Sequence, residues 1–558
     1  MSVDSTYVTG THAIAGALVE QFTAAPPAQL PEAYERLVRA LWDVGAPTDS
    51  TQPATAGSEP ESFTLPAPAD VALPLATEIV ASLDRVDDHR AGYLLILLGL
   101  LAEADSAARE RQEPGDPDGS VREAVRQGMD HYLHLLSRVG PDEPLTQAVV
   151  YLLAHFPEDR DRILPLVEPL GLEEGDLSRL DRCLRTLDLD APDLGRVWPS
   201  PSVWQLTDEE RDFDKAWIGA LTPEQVAVNW RNDTRTVWGY VGSKAYWAVR
   251  HGMPVAVAGV TEPPSPSSES GDGSASSVPE PGIDIFTRHA AALRCPSCQG
   301  PLDFRAGGVR CARCAVTYPV TRGILDLTEG VSDAAGVTDE VTANLLAKLA
   351  EMPSMGLYYE SRLRPEFLRV AGGNWGGAVT LADEDAYIAQ QVSPVDGPVL
   401  DLAAGAGRWT SVIAETVGAE RLIALDMGLP MLNVLRRRVP AVPAVRSSAL
   451  ALPFEDASLG AVICWNALQA FPDDAATAIA EVGRCLRLGG TFTLMTFVWD
   501  RDPVARHFQA SHYFPSRPAG MLLFEPDELR RWLADANMIV RDQSGPESFA
   551  FLTAERVA

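Results

Sequence analysis

A chain of 558 residues is too long for one hydrophobic core, so several folded units are expected. Its 46% hydrophobic and 22% charged content is that of an ordinary globular protein, and no apolar run approaches the ~20 residues that span a bilayer. The net charge of −31 is uneven: residues 331–558 carry −9 and residues 282–330 carry +2, leaving −24 on residues 1–281, a poor surface for nucleic acid.

The first residues, MSVDSTYVTGTHAIAG, lack the basic start and apolar stretch of a secretory signal, which points to the cytoplasm. Residues 1–45 read as helical, with Ile14, Leu18 and Phe22, then Ala33, Leu37 and Leu41, at helical spacing. A Pro/Ser/Thr/Gly-rich stretch, 46–68, reads as a loop. From 71 to about 190 come apolar helical segments, among them 92–102, 121–139, 145–156 and 163–170. They suit either a HEAT-like array or an irregular bundle, since no clean repeat motif is present. Six tryptophans (Trp198, Trp204, Trp217, Trp230, Trp238 and Trp247) crowd into 191–255, and their rings read as the filling of a closing subdomain core. The helical region is thus 1–260, and it is a candidate surface for a protein partner or for self-association. Residues 261–282, TEPPSPSSESGDGSASSVPEPG, have almost no apolar content and read as a flexible linker.

The next segment, 283–330, carries two CxxC pairs, Cys295/Cys298 and Cys311/Cys314, with twelve residues between them. Each pair turns two thiolates toward one tetrahedral ion, and a β-hairpin between the pairs brings them together. Four sulfurs leave no open ligand position, so a structural zinc is expected. Cys183, Cys464 and Cys485 stand alone in apolar settings and read as buried thiols. The ribbon and its tail, Tyr318-Pro-Val-Thr-Arg-Gly-Ile-Leu-Asp-Leu, resemble the small zinc-ribbon activators of tRNA and protein methyltransferases. The segment is also similar to the ribbon that precedes the catalytic domain of bacterial rRNA guanine methyltransferases.

After a helical lead-in or lid, 331–396, strands alternate with helices from 397 to 558, the pattern of a doubly wound α/β sheet. The expected architecture is therefore multi-domain: an all-α N-terminal region, a small β zinc ribbon and a C-terminal Rossmann-like α/β domain. The first strand, Pro398-Val-Leu-Asp-Leu, runs into Ala403-Ala-Gly405-Ala-Gly407, where glycines let backbone approach a ligand. The second ends in Asp426, a carboxylate placed to take both hydroxyls of a ribose. Then follow Ser448-Ala-Leu-Ala-Leu-Pro-Phe, a strand ending near Asn466, and Ile479 to Gly490 with its double-glycine turn.

These four motifs in order resemble class I S-adenosylmethionine-dependent methyltransferases over some 160 residues. The resemblance implies S-adenosylmethionine as cofactor. It assigns Asp401, Ala403, Gly405 and Gly407 to the aminoacid end, Asp426 and Met427 to ribose and adenine, and Ser448 and Ala449 to the adenine. Asn466 falls beneath the methyl donor, and Tyr359, with its neighbour Tyr358, covers the cofactor. Three departures stand out: Ala403 replaces a glycine, Ser448 an aspartate, and Gly460 the aspartate before the fourth strand.

Methyl transfer needs chiefly alignment, and a base only where the acceptor must lose a proton. His507 and His512 are the candidate bases, lying in an insertion where the family places substrate-capping segments, and Gln469 is an alternative orienting group. The leading expectation is methyl transfer to O, N or C of a small-molecule acceptor in natural-product biosynthesis, with nucleic acid and membrane disfavoured as partners. The alternatives are an RNA or protein methyltransferase using the ribbon, and a cyclase or cofactor-binding scaffold of the same fold.

Overall fold

A computed structural model describes residues 4–42, 71–111, 120–192, 208–256, 282–305, 308–328, 352, 356, 359–513 and 520–557. The loop at 46–68, the linker at 261–281, Trp198, Trp204 and Tyr358 lie outside the described residues. The chain forms two compact units: Met1–Pro201 with Ile218–Val257 and Asp500–Met521, and Ser202–Trp217 with Ala258–Trp499 and Leu522–Ala558. Among the described residues, no helix is long and apolar enough to cross a membrane.

The first unit is helical. Its centre is α1 (Asp88–Arg111), whose residues 91–102 are buried on every side as an interior helix must be. It packs on α2 (Pro144–Leu153) and α3 (Pro223–His251). The sequence sets the ends of α3. Thr222 and Gln225 form a reciprocal capping box around Pro223, and Gly252 closes the helix at φ 63°. Trp230 is buried, and the Trp238 indole N–H donates to the Ala154 carbonyl at 3.1 Å while its ring stacks on His155. Trp230 is thus core, and Trp238 is half-buried against the core.

The second unit is α/β. Its ribbon forms a three-stranded sheet, β1 (Leu302–Arg305), β2 (Gly308–Cys311) and β3 (Thr317–Tyr318), with β1 and β2 as the hairpin between the cysteine pairs. The tail continues as β4 (Val320–Thr321) and β5 (Ile324–Asp326). Then come α4 (Arg364–Val370), α5 (Leu381–Val392), β6 (Val399–Leu402), α6 (Arg408–Val417), β7 (Leu422–Asp426), α7 (Leu429–Arg438), β8 (Ala444–Arg446) and β9 (Leu459–Trp465). The chain goes on with α8 (Ala475–Cys485), β10 (Leu486–Phe497), α9 (Pro503–Ala510), α10 (Pro526–Asp535), β11 (Met538–Ser544) and β12 (Phe549–Arg556). Of these, α9 belongs to the helical unit.

The main sheet runs β11-β12-β10-β9-β6-β7-β8-β5-β4, parallel from β10 to β5. Strand order reverses between β6 and β9, the switch point at which such sheets open a ligand crevice.

Two boundaries differ from those expected. The ribbon is not separate from the α/β sheet: β5 pairs in parallel with β8 (Ile324 with Ala444, Leu325 with Val445, Asp326 with Arg446). Leu293, Cys295, Cys311, Tyr318 and Leu325 share one apolar core with Val445 and Phe454. A module this small gains most of its burial from a neighbouring core. Residues 500–521, expected within the C-terminal domain, belong instead to the helical unit. There α9 fits against α3 at Gly242, where any Cβ would come 2.2 Å from the Phe508 ring. Asp502 caps α9 by accepting the N–H groups of Val504 and Ala505, and also accepts the Tyr246 hydroxyl at 2.6 Å. Cys183, Cys464 and Cys485 are all buried.

Candidate functional site

The loop after β6 climbs through three left-handed residues: Ala403 (φ 57°), Gly405 (55°) and Gly407 (83°). Such angles suit glycine and strain an alanine, so Ala403 keeps the geometry of the glycine it replaces. A Cβ on Gly405 would meet nothing within 4 Å, so open space adjoins it. On Gly407 a Cβ would lie 2.8 Å from Leu435, which makes glycine obligatory there.

Asp426, at the end of β7, ties this loop in place. Its Oδ2 accepts the Gly405 N–H at 2.8 Å and its Oδ1 accepts the Gly428 N–H at 2.7 Å. Desolvation raises its carboxyl above the usual range against the pull of these amides. Asp401 lies deeper, with the Thr410 hydroxyl donating to it at 2.5 Å. Burial, reinforced by the charge of Asp426, pushes Asp401 up to about 7.

Across the switch point, Asn466 follows β9 with φ 54°. Its side-chain amide donates to the Tyr359 hydroxyl at 3.1 Å, and the Gln469 amide donates to its Oδ1 at 2.9 Å. Gln469 in turn accepts the Thr496 hydroxyl at 3.0 Å. Gln469, expected as an orienting group, thus holds Asn466 through its amide N–H and is itself held by Thr496. Ser448 Oγ accepts the Leu450 N–H at 3.1 Å and so shapes its own turn. Ser447 beside it is the buried one, and its hydroxyl has no partner among the described residues. No motif marked Ser447 in the sequence.

Gly460 gains a physical account: a Cβ there would lie 1.9 Å from the Asp396 carbonyl. The turn before β6 crosses β9 so closely that aspartate cannot occupy the position. His507 and His512 both lie in the segment that joins the helical unit. His507 Nε2 is 3.0 Å from Glu103 Oε2, and desolvation pushes His512 down to about 4.

The ribbon brings Cys295, Cys298, Cys311 and Cys314 together, with all four Sγ atoms within 4.8 Å of one another. Cys295 and Cys314 are 3.6 Å apart, and Cys298 and Cys311 3.4 Å. A zinc–thiolate tetrahedron with bonds of ~2.3 Å has edges of roughly 3.8 Å, so the four sulfurs fit one ion with little movement. The Arg313 and Cys314 N–H groups point at Cys311 Sγ, and the Tyr318 hydroxyl lies 3.1 Å from Cys295 Sγ. Such donors favour thiolates over thiols.

Residues 399–490 match the family model of a methyltransferase domain. A chloroplastic uncharacterized methyltransferase of Arabidopsis thaliana is 28% identical over 230 residues, 37% of this chain and 62% of that one. The demethylmenaquinone methyltransferase of Roseiflexus castenholzii is 30% identical over 148 residues, 25% and 62%. An uncharacterized methyltransferase of Mycobacterium tuberculosis is 39% identical over 102 residues, 18% and 39%. The chain thus spans less than two thirds of these relatives, and all the likeness falls on a minor part of its own length.

Proposed function

We propose that this chain is an S-adenosylmethionine-dependent methyltransferase acting on a small-molecule acceptor. The observation that carries the reading is the doubly held Asp426. One carboxylate clamps the glycine loop through Gly405 and the following turn through Gly428, at the switch point of a parallel sheet. A nucleoside lying there exchanges one or both amide donors for its ribose hydroxyls. The bound cofactor supplies a methyl group already activated on a sulfonium. The chain's own residues hold it: Ala403, Gly405 and Gly407 by backbone approach, Asp426 and Met427 at the ribose, and Ser448 and Ala449 beside the adenine. Tyr359 and Asn466, joined by a hydrogen bond, line the side toward the methyl group.

The small-molecule acceptor is supported by the net charge of −31, which disfavours a polyanion. A relative named for demethylmenaquinone, itself a small molecule, points the same way. Tailoring of a natural product in the cytoplasm fits this reading. Zinc in the four-cysteine site has a structural role, since the thiolates leave no position for a reacting group.

Calorimetric titration of S-adenosylhomocysteine into the wild type and Asp426→Ala tests the proposal. Micromolar binding, weakened by ~2 kcal/mol or more in the variant, is expected. A folded wild type that binds no S-adenosylhomocysteine would overturn the reading.

A further inference from the structure

A series of directed hydrogen bonds ends on Tyr359. Its direction is fixed at the backbone carbonyl oxygen of Asn466, which can only accept. The Gln469 side-chain amide donates to that oxygen and to Asn466 Oδ1, both at 2.9 Å. Gln469 therefore turns its own oxygen the other way, where it takes the hydroxyl of the buried Thr496 at 3.0 Å. With Oδ1 so engaged, the Asn466 amide nitrogen faces Tyr359 and donates to its oxygen at 3.1 Å. Each member accepts from the one behind and donates to the one ahead, so each bond strengthens the next.

The last proton in the series is that of the Tyr359 hydroxyl. Among the described residues its acceptor is the Asn466 carbonyl at 3.4 Å, a long contact to an oxygen that Gln469 already holds at 2.9 Å. The proton is thus left for a stronger acceptor. Burial above all raises the Tyr359 phenol beyond its ordinary value, so it keeps its proton at neutral pH. Arg364 and the bond from Asn466 oppose that rise, while Asp426 and Glu384 add to it. Arg364 is itself paired with the buried Glu384 at 2.6 Å.

We propose that Tyr359 donates this hydrogen bond to an oxyanion of the acceptor, and that the acceptor is a phenol or enol that arrives ionised. This rests on the proposed cofactor reading and names the substrate class of that site. A relay that ends in a donor stabilises negative charge and removes no proton, so it does not serve an aliphatic alcohol, which must be deprotonated in place. The acceptor releases its proton to water before transfer. A lone pair of the oxyanion then forms the O–CH3 bond as the S–CH3 bond breaks. The electron pair of that bond returns to sulfur, leaving a neutral ether and a neutral thioether.

The test uses 4-nitrophenol and 4-hydroxycoumarin as probes on the full-length protein saturated with S-adenosylhomocysteine. The ionisation of bound 4-nitrophenol is read from its visible absorbance. Wild type is expected to bind 4-nitrophenol as the phenolate, about ten- to a hundredfold more tightly than 4-nitrotoluene, which has the same shape and no oxygen. Tyr359→Phe keeps the ring and removes the donor, and should lower the ratio of bound phenolate to bound phenol by about tenfold or more. Thr496→Val, at the far end of the relay, should lower it by less. A merely structural role of Tyr359 would weaken both nitro compounds and leave that ratio unchanged. Equal binding of the two by wild type, an unchanged ratio in Tyr359→Phe, or failure of both probes to bind the S-adenosylhomocysteine-loaded protein would overturn this inference and leave the cofactor site standing. Failure of wild type to bind S-adenosylhomocysteine would instead remove the cofactor reading, and this one with it.

Discussion

The helical and α/β units each bury a carboxylate near their centre, and the two are treated in opposite ways. In the helical unit Glu103 accepts the Tyr151 hydroxyl at 2.6 Å and faces the Nε2 atoms of His155 at 3.2 Å and His507 at 3.0 Å. Burial alone would raise its carboxyl, but the hydrogen bonds and charges of the two imidazoles hold it well below the usual range. Asp401 in the α/β unit has one hydroxyl donor and the charge of Asp426 nearby, and its carboxyl rises to about 7. Depth is common to both. What differs is the count and charge of the donors, and that sets whether a buried acid stays ionised.

The largest effect expected belongs to the ribbon, the part of the α/β unit held by neither carboxylate. Stripping the proposed zinc with a chelator should unfold residues 293–318 and unpair β5 from β8, since binding of such an ion supplies roughly 10 kcal/mol or more of folding free energy. Hydrogen exchange would show β5 and β8 losing protection while α1 and α2 keep theirs; unchanged protection of β8 would mean that the sheet stands without the ribbon.

Next comes Glu103→Ala, which leaves three buried donors without their acceptor and should cost about 3–5 kcal/mol. The urea midpoint should fall, with exchange rising in α1, α2 and α9. If instead the protein is as stable as wild type, Glu103 is not the tie between α1 and α9 that its geometry indicates. The same linkage has a sign in pH. The Glu103 carboxyl is depressed in the folded state, so its contribution is whole above the unfolded value near 4.3 and is lost as pH falls below it.

Asp401 should respond in the opposite sense. Its folded value is raised, so the folded state holds a proton that the unfolded chain has released, and stability declines as pH rises from about 4 to about 7. Asp401→Asn removes this penalty and should stabilise the protein at pH 8 by about 2–4 kcal/mol, with little change at pH 4. A pH-stability profile of the variant parallel to that of wild type would count against the raised value.

The smallest effect is expected at Ala403→Gly, where relief of the left-handed φ should exceed the added chain entropy by ~1 kcal/mol or less. A thermal midpoint that falls would show that the loop tolerates alanine without strain.

Much of the candidate site could be read from the chain because its parts lie close together in sequence. The cysteine pairs, the glycine loop and Asp426 are each fixed by a few neighbouring residues whose backbone geometry leaves little choice. Their expected elements appear as β6, α6, β7, β9, α8 and β10. Arg364, Glu384 and Ser447 carry no motif, since their roles come from what packs over them.

The sequence by itself therefore determined the α/β character of the C-terminal part, the ribbon hairpin and the residues around Asp426, because periodicity and turn chemistry act over a few positions. Only the tertiary structure decided that His507, 404 residues from Glu103, belongs with the helical unit, and that β5 extends the main sheet. The physical reason is the same in both. A buried carboxylate and an open strand edge must each find partners, and the partner is chosen by proximity in the folded core, which no local pattern records.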